Sequence, residues 1–183
     1  MIPSVRDRFV RLARYNERAN REMYEALSPV TDRVRKRDVG SWFGSIHGIL
    51  NHAIVSDINW LRRYRALAPQ SPVLADARLD PPDLSWHKDL YEDFGALAGH
   101  RAAVDALITA WFEELPEPCY GRAFEYLDSS GGARSALACD AFDFLFVHQA
   151  HHRGQVSQIL DTLGVANNFA DNSRFLARDG EPG

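Results

Sequence analysis

Prolines and glycines cut the 183-residue chain into four long amphipathic stretches, and this punctuation constrains the fold more than any other feature. The first stretch runs from Ser4 to Leu27, between Pro3 and Pro29. Its seam is Val5, Phe9, Leu12, Asn16, Asn20, Met23 and Leu27, the spacing of a buried helical face. The second, Ser41 to Leu67, lies between Gly40 and Pro69. It carries apolar residues from Trp42 and Phe43 through Ile46, Ile49, Leu50, Ile54 and Ile58 to Leu61, an arc wide enough to be covered on several sides. The third, Lys88 to Leu115, has the seam Leu90, Phe94, Leu97, Arg101, Val104, Ile108, Trp111, Leu115 and stops at Pro116. The fourth, Cys139 to Leu163, ends at Gly164.

Between these stretches lie two other signals. Residues 68–86 contain Pro69, Pro72, Pro81 and Pro82 and cannot continue a helix, so they form a long crossover loop. Tyr120–Leu127, the turn Asp-Ser-Ser-Gly-Gly and Ala133–Leu137 read as a small β-hairpin. The expected fold is all-α: a four-helix bundle with one long crossover loop and a small β-hairpin before the last helix, in a single domain over residues 1–183. The last twenty residues lack periodicity and are expected to drape over the helices or fray.

A hydrophobic content of 45% places the chain among globular proteins. The net charge of −4 and the absence of a basic block argue against a nucleic-acid partner. Cys119 and Cys139 are too few for a disulfide scaffold and lack a Cys-x-x-Cys spacing, so they read as ordinary thiols. With no apolar leader and no membrane-length run, the expected location is the cytoplasm, away from any membrane.

The fourth stretch carries the chemistry. Its seam Ala141, Leu145, His148, His152, Val156, Ile159, Leu163 puts two imidazoles where the pattern asks for leucine. Buried rings need partners, and a metal ion suits two His at i,i+4 because both rings project toward one point. The alternative is a pair of core histidines satisfied by backbone or water. Catalytic zinc takes three protein ligands. His52, deep in the apolar run of the second stretch, is the third candidate; His47 lies five residues earlier, about 140° round the helix. His151 points about 100° away from His152 and reads as pocket wall or solvent-facing polar group. His87 and His100 read as loop and surface residues. Asn16 and Asn20 either orient a ligand or line the pocket, or fix helix register. Arg101 either binds a substrate carboxylate or pairs with a helix acid, and Asp57 either bonds a His or Arg153 or makes a plain ion pair. Tyr15, Trp42 and Trp60 wall a cavity or belong to the core.

Four segments together, Ala13-Arg-Tyr-Asn-Glu-Arg-Ala-Asn20, Phe43-Gly-Ser-Ile-His-Gly-Ile-Leu-Asn-His52, Asp57-Ile-Asn-Trp60 and His148-Gln-Ala-His-His-Arg-Gly-Gln155, resemble the DinB family of small bacterial metal-binding four-helix bundles. The resemblance implies a divalent ion held by His52, His148 and His152, with a fourth position open to water or substrate, and frequent homodimers. Where the family usually has Trp before Ala-Asn, this chain has Arg18. The family is similar in fold to thiol-dependent enzymes, some of which move an S-linked group and one of which isomerises a maleyl compound with a low-molecular-weight thiol. A metal held by three neutral imidazoles keeps its full charge and can ionise a water or a thiol placed against it. Zinc or nickel leads, with iron, cobalt or manganese as alternatives. The expected function is a metal-dependent thiol transferase or hydrolase acting on a small molecule; the alternative is a non-catalytic metal-binding stress-response protein.

Overall fold

The computed structural model describes residues 4–86 and 88–176; His87 lies outside the described residues, as does the tail beyond residue 176. It is mostly helical: α1 (Val5–Leu27), α2 (Asp32–Arg35), α3 (Ile46–Tyr64), α4 (Phe94–Glu114) and α5 (Ala138–Thr162), with strands β1 (Ala123–Leu127) and β2 (Ala133–Leu137) leading directly into α5. The strands pair antiparallel from Ala123 opposite Leu137 to Leu127 opposite Ala133. The expected hairpin is therefore present.

Local chemistry sets the helix starts. Ser4 and Asp7 form a reciprocal capping box at α1. The helix expected from Ser41 begins only at Ile46. Residues 41–44 close a tight turn instead, with Gly44 at φ 73° and its N–H donating to the Ser41 carbonyl at 2.9 Å. Ser45 then caps α3 by accepting from the Gly48 N–H at 3.1 Å. As a result Trp42, expected on an apolar helical face, is 93% exposed. Likewise α4 starts at Phe94, not Lys88, because Asp93 accepts from the Ala96 N–H at 2.7 Å. The crossover is correspondingly longer and is pinned where α3 meets it. The Asn51 side chain exchanges hydrogen bonds with the Tyr91 backbone at 3.0 and 3.2 Å, and His47 Nε2 meets the same Tyr91 carbonyl at 2.8 Å. Buried Leu74 and Leu79 tack the loop onto the core.

The four long helices pack α1 on α4 and α5, and α3 on α4 and α5. α3 and α5 run antiparallel: Tyr64 donates to the Ala141 carbonyl at 2.8 Å, and Gln149 donates to Asp57. One end of the core is an aromatic cluster in which Phe142 meets Phe9, Tyr64, Trp111 and Phe112 edge-on at 5.1–5.5 Å. Cutting such a ring back to alanine costs about 3–5 kcal/mol.

Beside this cluster lies a polar layer. The inward face of α5 is Phe142, Phe146, Gln149, Arg153, Val156 and Leu160, all buried. This corrects the seam read from sequence, which ran through both histidines: His152 is buried but His148 is only half-buried, and Gln149 and Arg153 hold the central positions. The histidines stand one step round the helix, at the edge between α3 and α5.

Candidate metal centre

His52 on α3 and His148 and His152 on α5 turn their rings toward one another. Nε2 of His148 lies 3.2 Å from Nε2 of His52 and 3.0 Å from Nε2 of His152. The ligand nitrogens of the three residues all fall within 4.8 Å of one another. Imidazoles bound tetrahedrally at about 2.0–2.1 Å from an ion stand roughly 3.3 Å apart, so the observed separations suit a shared cation. Hydrogen bonding alone suits them less well. The central His148 Nε2 has either one proton or one lone pair to offer, yet faces two nitrogens.

The surroundings keep these rings in the neutral form that a metal ligand needs. Burial holds His52 down to about 4, helped by the charge of His148. Burial and His152 hold His148 at about 4 against the pull of Asp57. Burial holds His152 at about 4 although Gln155 opposes it. All three are neutral at pH 7. Gln155 Oε1 accepts from His152 Nδ1 at 2.7 Å, which leaves the Nε2 lone pair facing the cluster. Aromatic rings wall the site: Phe43 stacks on His52 at 4.1 Å, Trp86 lies 5.8 Å from the same ring, and Phe144 stacks on His148 at 5.6 Å. Phe43 holds this place because the chain passes close to Gly48, where a Cβ would collide with the Phe43 carbonyl oxygen.

Among the described residues, none of the others singled out in the sequence joins the trio as a possible ligand. His47 is buried against Tyr91, and His100 bridges the Tyr91 hydroxyl at 2.6 Å and the Arg78 carbonyl at 3.0 Å, clasping the crossover rather than standing free at the surface. His151 is exposed and lines a cavity of about 590 Å³ with Ser41, Gln155 and Gln158. Asn16, Asn20, Asp57 and Arg101 are all buried in the polar layer. Arg101 has its fork occupied: it donates to Asp105 at 2.7 and 3.0 Å and to Asp57 at 2.6 Å, the pairing with a helix acid that the sequence offered as the alternative to a substrate carboxylate. Asn20 donates to Asp105 at 3.0 Å, Asn16 does so at 3.3 Å, and Arg153 donates to both Asn oxygens. Trp60 belongs to the core beside Tyr64, and the Tyr15 hydroxyl reaches the Asp171 carbonyl and Asn172 rather than the site.

Sequence reasoning passed over Asp105 and Gln149. Both sit on the buried faces of their helices, at i+4 from Arg101 and i−4 from Arg153 respectively, and that was the available signal.

Among the described residues, no helix is long and apolar enough to cross a membrane. The chain matches the model of the DinB family over residues 1–181. It is 20% identical over 166 residues to Protein DinB of Bacillus subtilis (strain 168), an alignment covering 91% of this chain and 92% of that protein. No solved structure is matched. With the family match spanning almost its whole length and the motifs carrying the histidine trio inside it, the chain belongs to the DinB family.

Proposed function

We propose that this protein is a four-helix-bundle metalloenzyme of the thiol-dependent S-transferase or hydrolase type, its divalent ion held by His52, His148 and His152 with one position left for substrate. The observation that carries this reading is the convergence of three neutral Nε2 atoms at separations suited to one ion. Such an ion would supply the positive charge that makes a thiol or a water nucleophilic at neutral pH. The chain's own residues do the rest. Gln155 fixes the tautomer of His152, and Phe43, Trp86 and Phe144 keep water from the flanks of the rings. Two cavities are lined by residues that touch the trio, Trp86 in one and Gln155 in the other. One of about 430 Å³ lies beyond Trp86, bordered by Arg62, Arg63 and Tyr126, and the other is the one beside His151 and Gln155. Each is large enough for a small molecule. We read the protein as a cytoplasmic homodimer using a low-molecular-weight thiol, with zinc or nickel as the ion.

The test is elemental analysis of purified protein, with anomalous scattering from crystals to name the ion, followed by turnover assays. The reading expects one ion per chain, loss of that ion in His52→Ala, and turnover with a thiol plus an electrophile or with hydrolysable esters and amides. A metal-loaded protein inert to all of these would instead be a metal-holding stress protein. A protein that binds no divalent ion would end both readings.

A further inference from the structure

Two buried atoms near the trio lack hydrogen-bond partners among the described residues: Nδ1 of His148 and Oδ1 of Asp57. Leaving either unpaired is costly, because each gave up water on folding. Asp57 is 1% exposed, and its other oxygen is anchored twice, by Arg101 Nη1 at 2.6 Å and by the Gln149 amide. Gln149 is the next residue to His148, and the antiparallel register of α3 and α5, fixed by Tyr64 on Ala141, sets Asp57 level with that pair.

We propose that Asp57 is a positioning residue for the metal centre: its Oδ1 accepts the Nδ1–H of His148, fixing the tautomer that presents Nε2 to the ion. The bond joins two buried groups of opposite hydrogen-bonding need. Arg101 holds the carboxylate from behind, and Asp105, Asn20, Asn16 and Arg153 extend the arrangement to α1. One ligand of the trio is thereby tied to all four long helices. The inference rests on the metal reading for its purpose, but the hydrogen bond itself does not require the ion.

Asp57→Asn has a specific consequence. Arg101 and Gln149 both donate to Oδ2, so they draw the amide oxygen to their side and leave the NH2 facing His148. A donor there favours the opposite tautomer, with the proton on Nε2, where the ion should bind.

The experiment has two arms. Long-range ¹H–¹⁵N spectra of the metal-free wild-type protein should show His148 protonated on Nδ1 and bare on Nε2; the reverse tautomer overturns the proposal whether or not metal binds. Zinc titration with a competing chelator should then show Asp57→Asn weakened by about 10–100-fold. Leu160→Ala, which weakens the buried face of α5 outside this arrangement, should remain within about threefold of wild type. Equal losses in the two variants would mean that the layer acts only through the fold and would overturn the positioning role, as would an Asp57→Asn protein that binds zinc like wild type. Should Asp57→Asn fail to fold, the wild-type spectra decide alone. Should wild type show the expected tautomer yet bind no ion, the metal reading fails and the Asp57–His148 bond stands.

Discussion

Replacing Asp105 by alanine should unsettle the whole helical assembly, and the size of the effect can be worked from its partners. Its two oxygens accept from Arg101 Nε and Nη2 and from the amides of Asn16 and Asn20. Asp105 and Arg101 are 2% and 3% exposed, so the pair itself is held almost out of water, with a cavity of about 420 Å³ beside it. Arg101 keeps its pairing with Asp57, but Arg101 and Arg153 then share that one carboxylate, and a buried cation left in excess by removing an ion-pair member costs about 3–5 kcal/mol. Two amide donors losing an acceptor add at least about 1 kcal/mol, given that such losses are not additive. The expected total is about 4–6 kcal/mol, a large part of the roughly 5–15 kcal/mol that holds a domain folded. For a chain of this size that corresponds to a fall in Tm of roughly 10–20 °C. Burial pushes the Asp105 carboxyl up to about 7 while Arg101 pulls it back, so the comparison belongs at pH 8.5, where the group is ionised. Urea unfolding followed by helical circular dichroism is the assay, with Glu113→Ala as the reference. Glu113 pairs with Arg14 at the surface, and its loss should stay within about 0.5 kcal/mol. A loss below about 2 kcal/mol for Asp105→Ala would refute the view that the polar layer is charge-balanced and held almost out of water.

Other expectations follow from the trio and its walls. His52→Ala should lower zinc affinity by at least about 100-fold in calorimetry, since two imidazoles make a poor divalent site; a change below tenfold would remove His52 from the ligand set. The metal-binding form of each imidazole is neutral, and burial holds all three at about 4, so chelator competition should find affinity flat as pH falls through 6.5 and dropping only near pH 4–5. The same shifts make the metal-free fold lose stability as pH falls from about 6.5 to 4, because the unfolded chain takes up protons first; stability unchanged over that window would contradict burial of the rings. Gly48→Ala should push the Phe43 carbonyl outward, lift the Phe43 ring from His52, cost about 1–3 kcal/mol and weaken zinc binding, all readable by thermal melts with and without zinc. Gly99→Ala, on an exposed turn of α4 with nothing near its Cβ, should stabilise by about 0.4–1 kcal/mol instead.

Helix ends marked by Pro29, Pro69 and Pro116 were legible because a proline forbids continuation whatever surrounds it. Helix starts were less so. The periodicity ran back through Trp42 and Leu90, and only the capping side chains of Ser45 and Asp93, together with the positive φ of Gly44, show where α3 and α4 begin. The trio's residues were legible from the i,i+4 spacing and from the choice of His52 over His47 on the facing stretch. Their placement at a helix edge was not. Two adjacent stripes on α5 both carry apolar residues, and the inward one includes Gln149 and Arg153, whose partners lie on α3 and α1. No pattern within one helix announces that a polar residue is satisfied by another helix. This is also why Asp105 went unremarked and why the sequence left two roles open for Arg101.

Two of the three rings beside the histidines come from different parts of the chain than the histidines themselves, while Phe144 shares α5 with His148. The imidazoles are built into α3 and α5, whereas Phe43 stands in the turn before α3 and Trp86 in the long crossover. Donor set and doorway are thus separable inheritances. Lengthening, shortening or exchanging the two connections would remodel what is admitted to the centre while the coordinating frame stays as it is, so one scaffold can be retuned to many small molecules without a single helix being rewritten.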